Sequence, residues 1–272
     1  MSFPSKQVRL TLLALLAAAL AAGCAPGPQL PPPVPVDPTA EAPAPVEPEP
    51  EPDSGPVPDP GPGAADPEPA DAPGGREVQL VADPTAIDVL VNKQYALPAD
   101  YVPPDLVEPN VRFIFTEWHE RRLMRAEAAA ALEEMFAAAE EDGIYLAGVS
   151  GYRSYEYQEA LFASYVSTDG LELAERYSAR PGHSEHQTGL AMDISGSTGE
   201  CAADDCFAGT PEAEWLAAHA HEFGFIVRYP KGKEHITGYM YEPWHVRYLG
   251  RELARAVYES GLTYEEYLQA HR

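Results

Sequence analysis

Residues 181–193 read PGHSEHQTGLAMD, and the reading of their second half decides what kind of fold follows. Taken as a strand, GLAMDI at 189–194 sends Leu190, Met192 and Ile194 to one face and Gly189, Ala191 and Asp193 to the other. The first face is apolar enough to join a core. The second holds two of the smallest side chains and one carboxylate, which suggests room kept for an ion or a ligand. An aspartate that merely ends the strand in a turn is the alternative that this stretch alone leaves open. His183 and His186, with Glu185 between them, stand just upstream.

The segments around this stretch alternate in type. RRLMRAEAAAALEEMFAAAEEDG at 121–143 repeats apolar residues near helical spacing, and Gly143 is placed to end that helix. IYLAGVSGY reads as a strand, and RSYEYQEALFASYV restarts a helix with Arg153 and Gln158 in or near its first turn. PEAEWLAAHAHEFG at 211–224 is a further helix opened by Pro211 and closed by Gly224, FIVRY is a short strand, and WHVRYLGRELARAVYESG carries a last helix. Helices mixed with short, non-repeating strands predict an α+β domain with a small, mainly antiparallel sheet.

A second chemical cluster lies at 241–250, YEPWHVRYLG, where Glu242 stands three residues before His245. Pro243 disfavours a continuous helix there, so the two are not an ordinary helical pair. Catalytic zinc takes three protein nitrogen or oxygen ligands and keeps a fourth position open. His186, Asp193 and His245 supply such a set, with Glu242 as a base beside the metal's water. His119, His235 and His271 lack a partner pattern, and His219 and His221, two apart on a helix, cannot face one ion together. Trp215, Phe223 and Phe225 read as core, Trp244 as core or as a wall of the site, and Arg228 and Tyr229 as residues making ordinary structural contacts.

These residues carry a resemblance. SEHQTGLAMD fits the Ser-x-His-x-x-Gly-x-Ala-x-Asp signature of the VanY/VanX-type zinc D-alanyl-D-alanine peptidases, EPWH their Glu-x-x-His element, and SGYRSYEYQ the arginine-bearing segment of the VanY branch. The likeness runs from about Val89 to Gly250 in the same order. It implies one zinc ion on His186, Asp193 and His245, Glu242 as general base, and Arg153 at the scissile carbonyl or the substrate carboxylate. Gln158 and Ser184 match positions that line the substrate site. His183 lies outside the signature as a loop or rim residue, and Glu185, adjacent to a ligand, is expected to point elsewhere. The implied reaction is D,D-carboxypeptidase removal of the C-terminal D-alanine from peptidoglycan stem peptides. L,D-carboxypeptidase or endopeptidase action, or non-catalytic peptidoglycan binding, are the alternatives.

The rest of the chain sets the context. Residues 1–23 combine Lys6 and Arg9 with an apolar run from Leu10 to Ala22 and small residues before Cys24, the pattern of an export signal. Cys24 after Ala-Gly resembles a lipobox, with Leu20 one place further upstream than usual, and implies lipidation; a plain cleaved signal is the alternative. Residues 25–75 hold 19 of the 29 prolines and no aromatic residue, so 24–84 is expected to be a disordered linker and 85–272 the peptidase domain. Residues 1–75 carry ten acidic and two basic side chains, which leaves 33 acidic against 16 basic in the remainder. That balance argues against nucleic acid, whose phosphates need clustered cations. Cys201 and Cys206 suit a small disulfide outside the cytoplasm. The expectation is therefore a monomeric, extracytoplasmic lipoprotein held to a membrane by an N-terminal lipid anchor.

Overall fold

Leu190, Met192 and Ile194 are wholly buried, and the strand that carries the last two lies at the centre of the sheet. The structure, a computed structural model, describes residues 78–271. Cys24, the signal segment and most of the 24–84 linker lie outside the described residues, and no helix among those described is long and apolar enough to cross a membrane.

In chain order come four two-residue strands, β1 (Gln79–Leu80), β2 (Tyr95–Ala96), β3 (Leu106–Val107) and β4 (Met124–Arg125), and then α1 (Ala126–Glu141). β5 (Leu146–Ser150) leads into α2 (Tyr155–Asp169) and α3 (Leu171–Tyr177). A short 3-10 helix, Glu185–Thr188, precedes β6 (Ala191–Gly196). After α4 (Pro211–His219) follow β7 (Phe225–Tyr229), α5 (Glu234–Thr237), β8 (Glu242–Tyr248), α6 (Arg251–Ser260) and α7 (Tyr264–Ala270). The main sheet is antiparallel in the order β5-β6-β8-β7; β1 pairs β2 in parallel, and β3 pairs β4 antiparallel.

α1 starts five residues later than the sequence pattern suggested, because Met124 and Arg125 pair with β3 and hold that stretch extended. Its buried Ala128, Leu132, Met135, Phe136 and Ala139 recur at helical spacing on one face. That stripe joins Met192, Ile194, Val246, Tyr248 and Phe225 from the sheet, and Trp215 and Leu216 from α4, in the main core. α6 and α7 bury Ala254, Val257 and Tyr264 in a second cluster around Ile226 and Leu249. α7 has no counterpart in the sequence reading, although Thr263 and Glu266 form a capping box at its start. α4 also runs shorter than expected, turning into a 3-10 helix at Ala220–Phe223 before Gly224.

Gly189 departs from its expected place on the strand. It sits at φ 66 as the left-handed cap of the 3-10 helix, and a Cβ there would lie 2.9 Å from Leu106 Cδ2. Its role is thus to turn the chain into β6 tightly against β3 and β4, while Ala191 and Asp193 share the strand face opposite Met192 and Ile194.

Candidate metal centre and active site

Residues 186, 193 and 245 converge through sheet register. Asp193 on β6 and His245 on β8 are cross-strand partners, and Asp193 Oδ1 lies 3.0 Å from His245 Nδ1. His186, delivered by the 3-10 helix just before β6, places Nε2 3.3 Å from Asp193 Oδ2. All three are buried, and one ligand atom from each falls within 4.8 Å of the others. The backbone of β8 then solves a problem of parity. Glu242 and His245 are three apart, which in a regular strand puts them on opposite faces. Between Val227–Val246 and Tyr229–Glu242, however, β8 uses four residues where β7 uses two. This irregularity, at Pro243, turns Glu242 back so that Oε2 stands 3.9 Å from His245 Nδ1.

Both imidazoles are oriented from behind. His186 Nδ1–H donates to the Gly151 carbonyl at 2.7 Å, which leaves Nε2 as the free lone pair. Gly151 can come this close because it has no side chain; a Cβ there would lie 2.5 Å from Leu123 O. His245 Nε2 faces Glu185 Oε2 at 3.3 Å. Glu185, expected from sequence to point elsewhere, is fully buried and receives Arg228 Nε at 2.7 Å and Arg247 Nη1 at 2.8 Å. Nothing in the linear spacing revealed this contact, because Arg228 reaches it from β7 and Arg247 from β8.

The electrostatics favour a cation. Burial opposes ionisation of Asp193, yet His186 and His245 overcome it and hold the carboxyl well below the usual carboxylate range. Burial also opposes charging of His245, but the hydrogen bonds that its ring nitrogens donate to Asp193 and Glu185 push it up to about 9. Burial and the Arg153 charge lower His186 to about 4, which keeps it neutral and able to ligate. Glu242 is pushed up to about 8, first by burial and then by the charge of Asp193. Two imidazoles and a carboxylate are a fitting donor set for a catalytic zinc ion, since they leave one position for water or substrate.

A cavity of about 250 Å³ opens on this cluster. Arg153 and Ser184 line it, with Arg153 Nη1 3.9 Å from Asp193 Oδ2 and its Nε without a hydrogen-bond partner among the described residues. Gln158 does not. Its Nε2 donates to Ala179 O at 2.7 Å, so it braces the Ser178–Ala179 wall of the cavity from outside. Trp244 both joins the core and lines the cavity, and Tyr229 packs its ring 4.9 Å from that of His245. Tyr239, which no motif of the sequence marked, is buried in the lining with a hydroxyl that has no hydrogen-bond partner among the described residues. Cys201 and Cys206 are joined as a disulfide, and the loop they close presents Ala203, Asp204 and Asp205 to the same cavity. His183 stays outside the cluster, bonded through Nδ1 to Asn92 O at 2.7 Å.

Comparison with known proteins follows this geometry. A family model described as VanY, D-alanyl-D-alanine carboxypeptidase, matches residues 121–251. The YodJ protein of Bacillus subtilis (strain 168) is 48% identical over 192 residues, which cover 71% of this chain and 70% of YodJ. Among solved structures, the LdcB LD-carboxypeptidase, described in terms of peptidoglycan recognition, matches with a TM-score of 0.68 at 48% identity, over 71% of this chain and 90% of that one. The Zn(II) complex of a vancomycin-resistance D,D-pentapeptidase, VanY, gives a TM-score of 0.55 at 35% identity, over 68% and 99%.

Proposed function

Because the chain belongs to the VanY family of D-alanyl-D-alanine carboxypeptidases, we propose that it is a zinc carboxypeptidase that releases the terminal D-alanine of peptidoglycan stem peptides. The observation that carries this reading is the buried set of His186, Asp193 and His245 with Glu242 beside it at the floor of an open cavity. A mere binding site for wall peptides would have no use for a buried carboxyl poised near neutrality.

When bound to His186 Nε2, Asp193 and His245 Nδ1, zinc supplies Lewis acidity and makes water a nucleophile at neutral pH. The chain's own groups do the rest. Glu242 takes the proton of the attacking water and returns it to the departing amine, a task suited to a carboxyl whose pKa burial has raised. Arg153, with its guanidinium at the cavity wall and Nε uncommitted, stabilises the negative charge that develops on the carbonyl oxygen or grips the substrate's terminal carboxylate. Ser184 and the Tyr239 hydroxyl are the polar groups available to hold the substrate backbone.

Two bonds are candidates. The family description supports the D,D bond of a pentapeptide, as the sequence motifs do. The greater identity to LdcB, 48% against 35% for the D,D-pentapeptidase, favours the L,D bond of a tetrapeptide. Mass spectrometry of defined tetra- and pentapeptide muropeptides, with wild type, Glu242→Ala and a chelator control, decides both questions. Release of D-alanine by neither substrate with zinc present would overturn the enzyme reading, and internal cleavage of cross-linked dimers would replace it with an endopeptidase. We further propose that Cys24 carries a lipid anchor and that the proline-rich segment tethers the domain outside the cytoplasm, as a membrane-bound enzyme acting on a wall polymer requires. Membrane fractionation of Cys24→Ser tests this, since continued membrane association would contradict it.

A further inference from the structure

We propose that Glu185 is the positioning residue for His245: its buried carboxylate, clamped by two arginines, holds the imidazole Nε2–H and so keeps Nδ1 turned to the metal position. This rests on the zinc carboxypeptidase reading. Glu185, Arg228 and Arg247 are each wholly buried at the side chain, where a charge without a partner is strongly unfavourable. The two guanidiniums converge on one oxygen, Oε1, at 2.7 and 2.8 Å. The other oxygen, Oε2, is left to His245 Nε2 at 3.3 Å.

The network is balanced outward. Arg228 is also held by Glu265 of α7 through two bonds of 2.9 and 2.6 Å, and Asn92 donates to Glu265 Oε1 at 3.2 Å. Arg247 donates its other terminal nitrogen to Ile87 O and Val89 O at 2.9 and 2.7 Å. Two arginines, each held in turn by partners on other elements, thus fix one oxygen of the Glu185 carboxylate and leave its other oxygen facing one histidine. An ionised carboxylate only accepts, so the nitrogen facing it must carry a proton and the other must carry the lone pair. Glutamine cannot do the same work. With its single oxygen kept by the arginines, its NH₂ would face His245 Nε2 and donate, which drives the ring proton to Nδ1, the ligand atom.

The test compares zinc affinity of full-length wild type, Glu185→Gln and Glu265→Gln by chelator competition. It adds ¹⁵N-histidine NMR of the zinc-loaded wild type, which needs no variant to fold. Wild type should show a protected Nε2–H on His245. Glu185→Gln should bind zinc about 10–100-fold more weakly, the usual loss for an outer partner of a ligand, whereas Glu265→Gln should lose thermal stability and keep its zinc affinity. Wild-type affinity in Glu185→Gln, an equal loss of affinity in both variants, or absence of the Nε2–H in wild type each overturns the proposal. Failure of wild type to bind zinc overturns the carboxypeptidase reading itself, and this assignment with it.

Discussion

Asp193 and His245 face each other across the two central strands of the sheet, with Oδ1 3.0 Å from Nδ1. A ladder that pairs these two residues sets the spacing of two metal ligands by hydrogen-bond register, which is less yielding than a loop. Replacing His245 by Ala should therefore abolish tight zinc binding, beyond the roughly 10–100-fold loss typical of an outer partner, and remove activity. Isothermal titration with Zn(II) checks this; near-native affinity would show that the ligand set is misassigned.

Glu242→Gln should behave differently. The side chain is not expected among the ligands, so zinc content measured after gel filtration should stay near one equivalent per chain. The catalytic rate should fall by about 10²–10⁴-fold, the usual worth of a positioned acid–base group. In the wild type, kcat/KM should rise as pH passes upward through the Glu242 pKa. Burial places that carboxyl near 8 against an ordinary 4.5, and the charge of bound zinc draws it back toward the lower figure.

Stability of the metal-free protein should depend on pH from both sides. His186, lowered from 6.5 to about 4, and Glu185, held below the ordinary 4.5, contribute stability at higher pH that is lost as pH falls through their folded values. Glu242 and His245, raised to about 8 and about 9, contribute stability at low pH that is lost as pH rises through those values. Urea midpoints in chelator should be nearly flat between 4.5 and 6.5 and decline on either side. A midpoint that climbed from pH 7 to 9 would contradict the charge arrangement given for His245 and Glu242.

Gly151→Ala should damage the metal site without touching a ligand. The new Cβ would meet Leu123 O at 2.5 Å and Met192 Cε at 3.0 Å, which forces the carbonyl that receives His186 Nδ1–H to move. Zinc affinity should drop about 10–100-fold, whereas Leu132→Ala in α1 should cost about 2–5 kcal/mol of stability and leave zinc affinity intact. Parallel thermal melts and chelator competition separate the two effects.

Much of this site was legible in the chain because its parts repeat simple patterns. Strand alternation around Asp193, a proline between Glu242 and His245, and helix punctuation at Pro211 and Gly224 all report local physics that the fold retains. What escaped was non-local. The register irregularity that swings Glu242 beside His245 depends on β7, and Glu185 looked idle because its arginines lie 43 and 62 residues away. Strand alternation alone makes Gly189 a spacer on a strand, whereas its left-handed backbone and its closeness to β3 are tertiary facts. Gln158 sits at the right place in the chain and the wrong side of the cavity wall, a distinction that spacing does not encode.

The two bonds that Arg228 donates to Glu265 are the last of the arginine network that a growing chain can make. As a chain is made from its N-terminus, the sheet strands and all three ligands emerge before α7 does. Until residue 265 arrives, Glu185 alone faces the two guanidiniums, which leaves one positive charge of the buried network uncompensated. The buried charge network is thus neutralised last, by a helix that lies outside the cavity lining. A nascent chain would hold its ligands early and gain the stability of the completed charge network only at the end.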